Sequence, residues 1–166
     1  MSSWGPRSYD NDEVMDRVGD IWREVFSRLP IALISSTMEA SFKNRSNDEA
    51  ANLWKMCTIE LPEDRIRRLG FLATPDPRVA KDFIERIDRH ALDNALLKWA
   101  RAAKEKAVTA GVVSYFVHEL GYAVPSDLKI EAIEQIKAQA SRTADPEEKE
   151  SLTVELESLR KKTRSG

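Results

Sequence analysis

Three groupings of residues carry side chains from which reactive or metal-holding sites are made. His118-Glu119-Leu120-Gly121-Tyr122 begins like the H-E-x-x-H helix of zinc proteases, in which two histidines one turn apart share the metal and the glutamate acts as general base. Tyr122 occupies the place of the second histidine, so the zinc reading fails. Ser114 precedes His118 by one helical turn, and with Gly111 the two form a narrow polar strip on an otherwise apolar stretch. A Ser–His contact could begin a nucleophilic site, but no orienting acid and no oxyanion donors can be assigned. A satisfied, partly buried histidine is the structural counterpart of that reading. The third grouping is Asp10, Asp12 and Asp16, which could face a cation. The offsets of a calcium loop are not met, because its third acidic ligand, central glycine and terminal glutamate are missing.

Asp10 and its neighbours belong to a dense opening stretch, Trp4 to Asp16, whose residue types also fit a helix start. Asp10 followed by Glu13 has the spacing of a capping box, with Tyr9 and Val14 as the hydrophobic staple around it. Beyond the cap, Asp12, Asp16, Asp20 and Glu24 recur at i+4 opposite Val14, Val18, Ile21 and Val25. Such a ridge reads as a solvated acidic face, in which like charges cost about 0.2–0.5 kcal/mol per pair and Glu13–Arg17 and Glu24–Arg28 offset part of that.

The pattern W-G-x-x-x-Y-D-N-D-x-x-x-D, carried by Trp4, Gly5, Tyr9, Asp10, Asn11, Asp12 and Asp16, resembles the N-terminal signature of a family of small bacterial and phage proteins of unknown function. Those proteins open W-G-x-x-x-F-[DE]-N-D-x-A-x-D; here Tyr9 replaces the usual Phe and Val14 the usual Ala. The resemblance covers about residues 4–16 and implies a shared local structure. With no chemistry assigned to the family, it transfers no catalytic residue. It does single out Asn11, which a cap at Asp10 does not require, and marks Trp4, Tyr9, Asn11, Asp12 and Asp16 as a candidate partner-binding surface.

Periodicity at helical spacing, with no sustained alternation, predicts an all-α protein. The first helix carries Val14, Val18, Ile21, Trp22, Val25 and Leu29 on one face and breaks at Pro30. Ile31, Ile34, Met38 and Phe42 mark a second. Ser46 with Glu49 opens a third through Leu53, Trp54 and Cys57. Pro62 starts a short fourth helix, with Gly70 as its stop. Asp76-Pro77 starts a fifth, which runs to about Arg89. From Ala91 to Leu120 the most apolar stretch predicts a central helix, bent near Gly111 and closed by Gly121 and Pro125. Two final helices, about 127–141 and 146–162, form an αα-hairpin. The expected architecture is a single-domain bundle of about seven helices around that central helix, with a core over 1–125 and the hairpin over 126–166 in the same domain. Since Leu152, Leu156 and Leu159 make only a narrow stripe, the hairpin either docks on the core or pairs with a second copy, and a homodimer is slightly favoured.

Composition narrows the function classes. Twenty-six basic and 28 acidic side chains give a net charge of -2, without general attraction to nucleic acid or anionic membranes. Residues 62–106 are mildly basic, with 11 basic and 8 acidic groups, so weak nucleic-acid binding through that segment is one alternative. Arg65, Arg67 and Arg68 follow Glu63 and Asp64 directly and read better as a salt-bridged face. The run from Arg160 to Arg164 suits a helix C-terminus. Six glycines and no phosphate-binding loop exclude the usual nucleotide enzymes. One cysteine, no secretory leader and no apolar stretch of spanning length point to the cytoplasm. The expectation is a non-catalytic helical protein that binds another protein in an accessory, inhibitor or immunity-type role, with no catalytic residue, metal or cofactor. The enzyme alternative is a hydrolase using Ser114 and His118, or a metal at Asp10, Asp12 and Asp16.

Overall fold

In the computed structural model residues 5–42 and 62–161 are described. Trp4 and the helix expected from Ser46 through Cys57 lie outside them. The described residues are all-α, without a strand. They form α1 (Asp12–Arg28), α2 (Ile31–Phe42), α3 (Glu63–Ala73), α4 (Pro77–Arg86), α5 (Arg89–Arg101), α6 (Lys106–Ser114), α7 (Ser126–Arg142) and α8 (Pro146–Lys161). α6 continues directly into a π-helical turn, Tyr115–Glu119. None of these helices is long and apolar enough to cross a membrane.

The chain divides into two compact units, one of residues 1–21 with 93–166 and one of residues 22–92. The C-terminal hairpin therefore falls in the same unit as the start of α1. Within the first unit α6 is the centre: Val108 and every residue from Ala110 to Val117 are buried. α7 packs along α6, and α8 packs on α7 and the π turn. This arrangement covers Leu152, Leu156 and Leu159, so the stripe considered for pairing with a second copy is already used inside the protomer. Ile130 and Val154 are the large apolar side chains of the hairpin left exposed. In the second unit α2 packs on α3 and α4, and Phe26 meets Phe83 edge-on with ring centroids 4.8 Å apart.

Short-range signals behave as their chemistry predicts. Asp76 accepts from the Arg78 N–H at 2.9 Å with Pro77 opening α4, and Asp145 accepts from the Glu147 N–H at 3.0 Å at the start of α8. Gly121 adopts φ 66°, a left-handed value suited to glycine, and ends the π turn.

Three expectations are corrected. The cap of α1 is Asn11, whose Oδ1 accepts from the Val14 N–H at 2.9 Å; Asp10 is instead engaged by Arg7 before the helix starts. α3 does not stop at Gly70 but runs to Ala73, because the glycine serves packing: a Cβ there would lie 2.7 Å from the Phe26 ring. The long helix expected from Ala91 to Leu120 is two helices, broken at residues 102–105 and not bent at Gly111. At the break the Thr109 hydroxyl donates to the Ala100 carbonyl at 2.7 Å, satisfying an acceptor that the interrupted helix leaves open.

Gly111 has a different purpose. A Cβ on it would sit 2.7 Å from the Ser8 carbonyl oxygen and 2.7 Å from Val14 Cγ2, so its absence lets the segment before α1 lie directly on α6. Gly19, within α1, has open space around the corresponding position. Gly111→Ala should therefore lose about 1–3 kcal/mol through overpacking against backbone. Gly19→Ala should gain about 0.5–1 kcal/mol from helix propensity. Urea unfolding of the two variants checks the pair, and equal effects would contradict the close approach at Gly111.

Candidate functional site

The loop before α1 gathers most of the polar groups singled out by sequence. It begins at Gly5, where a side chain would collide with the Asp10 carboxylate. Asp10 closes the turn: its backbone N–H donates to the Arg7 carbonyl at 3.0 Å, and its carboxylate accepts from the Arg7 N–H at 2.9 Å and from Arg7 Nε at 3.0 Å. Arg7 Nη2 completes the ion pair at 2.9 Å. Asp10 is almost wholly buried, so this fork of charge-assisted bonds is what makes its burial tolerable. The same hydrogen bond holds the Arg7 guanidinium more firmly protonated than usual.

Tyr9 points inward from the turn. Its ring packs edge-on against Tyr115 at 5.6 Å, with the Arg7 guanidinium carbon 4.9 Å from its centroid on the outer side. The Tyr9 hydroxyl donates to Glu119 at 3.0 Å, and Arg7 Nη1 lies 3.7 Å from that carboxylate. Burial, and then the charge of Glu119, push the Tyr9 hydroxyl above the ordinary tyrosine range.

Beneath the loop lies Glu155 of α8, fully buried. It accepts from the Ser8 N–H at 3.1 Å, from the Ser8 hydroxyl, and from the Ser114 hydroxyl at 2.5 Å. Asn11 ties the same loop to α1, capping the helix through Oδ1 while Nδ2 donates to the Ser8 carbonyl at 3.4 Å. On the neighbouring face His118 Nδ1 meets the Ser158 hydroxyl at 2.7 Å. The π turn fits this assembly, since its extra residue per turn carries Tyr115 and Glu119 toward the loop while Leu120 N–H closes on the Tyr115 carbonyl at 3.2 Å. Further along, the Tyr122 hydroxyl donates to Asp93 at 2.5 Å.

The sequence-derived candidates separate accordingly. Ser114 and His118 are not hydrogen-bonded to each other; the serine serves Glu155 and the histidine serves Ser158. Asp10 is committed to Arg7, whereas Asp12 and Asp16 are exposed on α1. Among the described residues no group of three or more His, Cys, Asp or Glu side chains is placed to hold a metal. Tyr9 and Asn11 are buried. His90 is exposed, and its N–H donates to Asp88 at 3.0 Å at the start of α5.

Sequence reasoning missed Arg7, Ser8, Glu155 and Ser158, and met Glu119 only as part of the failed zinc motif. Only Glu155 left a signal: it stands three residues after Leu152 and four before Leu159, on the buried side of α8, where an unpartnered carboxylate would be costly. Comparisons with protein-family models, with characterised proteins and with solved structures found no match.

Two measurements test this geometry. Asn11→Ala should cost about 0.5–2 kcal/mol as a lost N-cap, while Asp12→Ala at the exposed first helical position should stay within about 0.5 kcal/mol. The reverse order would displace the cap from Asn11. For Tyr9 the sign follows from its raised pKa: above about pH 10 the unfolded chain releases the phenolic proton first, so stability falls as pH rises. Tyr9→Phe should make that alkaline fall shallower than in the wild type, and an unchanged slope would contradict the buried hydroxyl.

Proposed function

We propose that this chain is a non-catalytic helical protein that binds another protein, in an accessory, inhibitor or immunity-type role, and that it works in the cytoplasm. The observation that carries the reading is how the opening motif is used. Ser8, Tyr9, Asp10 and Asn11 are turned inward and hydrogen-bonded within the fold, which leaves Asp12 and Asp16 as the exposed side chains among the motif's described residues. The inward residues fix the beginning of α1, and the outward carboxylates are presented on a rigid helix.

Asp16 also lines a shallow groove of about 520 Å³ with Glu13, Arg17, Asp20 and Lys104. Rigid presentation lowers the ordering cost of binding, and the acidic excess on this side suits a basic patch on the partner. The resemblance of residues 4–16 to the family signature is part of the same reading, with Tyr9 and Asn11 as supports of the surface, Asp12 and Asp16 as its contacts, and Trp4, outside the described residues, kept as a partner-binding candidate. A homodimer through the hairpin would use Ile130 and Val154, the apolar side chains that its own packing leaves open. Ser114 and His118, each committed elsewhere, give the hydrolase alternative no support.

Capture from a native lysate, comparing the wild type with the Asp12→Ala, Asp16→Ala double variant, tests the proposal. Both positions are exposed, so the variant should fold with stability within about 1 kcal/mol of the wild type. A protein retained by the wild type should be lost from the variant. Equal retention by both would remove the acidic start of α1 from the interface, and a wild type that retains nothing specific would overturn the binding role.

A further inference from the structure

The joint between α5 and α6 sets the local sequence against the fold. From Trp99 to Ala110 the chain reads W-A-R-A-A-K-E-K-A-V-T-A, without the glycine, proline, asparagine or serine that ordinarily ends a helix, and its Ala, Arg, Lys and Glu residues are among the best helix formers. The helix nevertheless stops at Arg101 and starts again at Lys106. At the restart Glu105 stands in the cap position and makes no side-chain capping bond. A break of this kind leaves terminal carbonyls and N–H groups that a continuous helix would pair with one another. The Thr109 hydroxyl answers one of them, the Ala100 carbonyl, and can do so only in the broken form, because nine residues of continuous helix would separate the two by about 13 Å.

The joint also divides the first unit. Contacts that tie this unit together run between a segment before residue 102 and one after residue 105: Ser8 to Glu155, Tyr9 to Glu119, Asp93 to Tyr122, and Arg101 to Glu131 at 3.6 Å. Gly111 receives the Ser8 backbone across the same divide. The second unit, residues 22–92, lies wholly before it. Straightening the joint within one chain would pull these pairs apart and uncover Glu155. Two chains that straighten together can restore them all, each copy's α6, α7 and α8 taking the place of the other's.

We propose that two copies of this chain exchange their C-terminal segments, from residue 106 onward, through a continuous helix that joins α5 to α6. A monomer gains the helical bonds at the joint only by losing the packing around Glu155, whereas the exchanged dimer gains them in both copies and keeps that packing. The cost is the association of two chains, which rising concentration offsets. The opening loop of one copy then lies on Glu155 and Gly111 of the other. The groove beside the start of α1 becomes composite, with Asp16 and Asp20 from one copy and Val108 from the other, and its wall of Ala102, Ala103 and Lys104 turns helical. Exchange differs from pairing through Ile130 and Val154, which leaves each copy intact, and it does not rest on the acidic surface as a binding site.

The test uses the full chain, refolded from urea at high concentration and followed by sedimentation. A dimer is expected, strengthened about tenfold by Thr109→Val, which removes a hydroxyl bond available only to the broken joint. Ala103→Gly with Lys104→Gly should weaken it about a hundredfold or more, because each glycine costs a helix about fivefold and both copies carry two. Exchange is told from surface pairing by refolding an Arg101→Cys chain together with a Glu131→Cys chain and adding a short bismaleimide. Exchange places position 101 of one chain beside position 131 of the other, and peptide mapping separates that bridge from any at Cys57. Both substituted positions are exposed, and matching melting temperatures will show that these variants fold. Failure of both the wild type and Thr109→Val to dimerise overturns the proposal. So does a dimer without the 101–131 bridge, or one that ignores the two glycines and is lost in Ile130→Gln, which is hairpin pairing. Asp12→Ala, Asp16→Ala should leave the exchanged dimer unchanged, which separates this result from the fate of the acidic surface.

Discussion

A carboxyl group that water does not reach, on Glu155, is the constraint around which the first unit is organised. Burial of such a group is costly unless its oxygens are matched by donors, and here the donors come from two distant stretches of chain, Ser8 and Ser114. The loop before α1 must therefore lie down on α6 and α8 together. Gly111 supplies the room for that approach, and Asn11 converts the far end of the loop into the first turn of α1. Removing the Glu155 carboxyl would strand three donors at once, so the network behaves as a unit and not as separable bonds.

A second polar layer lies above the first. Arg7 is shared between Asp10 and Glu119 and covers the face of Tyr9, whose hydroxyl turns to the same Glu119. Charges near the surface are thus joined to a buried aromatic pair, Tyr9 with Tyr115, and then to the apolar interior of α6. The consequence for function is a division of labour along a few consecutive residues. Side chains from Ser8 to Asn11 look inward and set geometry, and those from Asp12 onward look outward as well.

The helices were legible where the signal is local. Asp76-Pro77 and Asp145-Pro146 each contain a capping acceptor and the residue that tolerates a first helical position, so their meaning does not depend on the rest of the chain. The start of α1 was ambiguous by one position because Asp10 and Asn11 are both capping residues; Arg7, three residues earlier, decides between them by claiming Asp10. The break at residues 102–105 was hidden because Ala102, Ala103 and Lys104 are good helix formers, and the Thr109 hydroxyl that satisfies the Ala100 carbonyl there gives no local signal in the sequence. Gly70 and Gly111 were read as a stop and a bend, although both serve close packing against segments far away in sequence. The candidate site was only half visible for the same reason: the motif residues are contiguous, but the carboxylates that receive them sit on Glu119 and Glu155.

The contact between Ser8 and Glu155 spans 147 positions, and this separation has a consequence for biosynthesis. A chain made from its N-terminus exposes Ser8, Tyr9 and Asp10 long before α8 leaves the ribosome, so that loop must wait for its acceptor. Helices between them can form early from local contacts. The opening loop can settle only when synthesis has passed residue 155, which makes its closure a late event in maturation and a marker that the unit is complete.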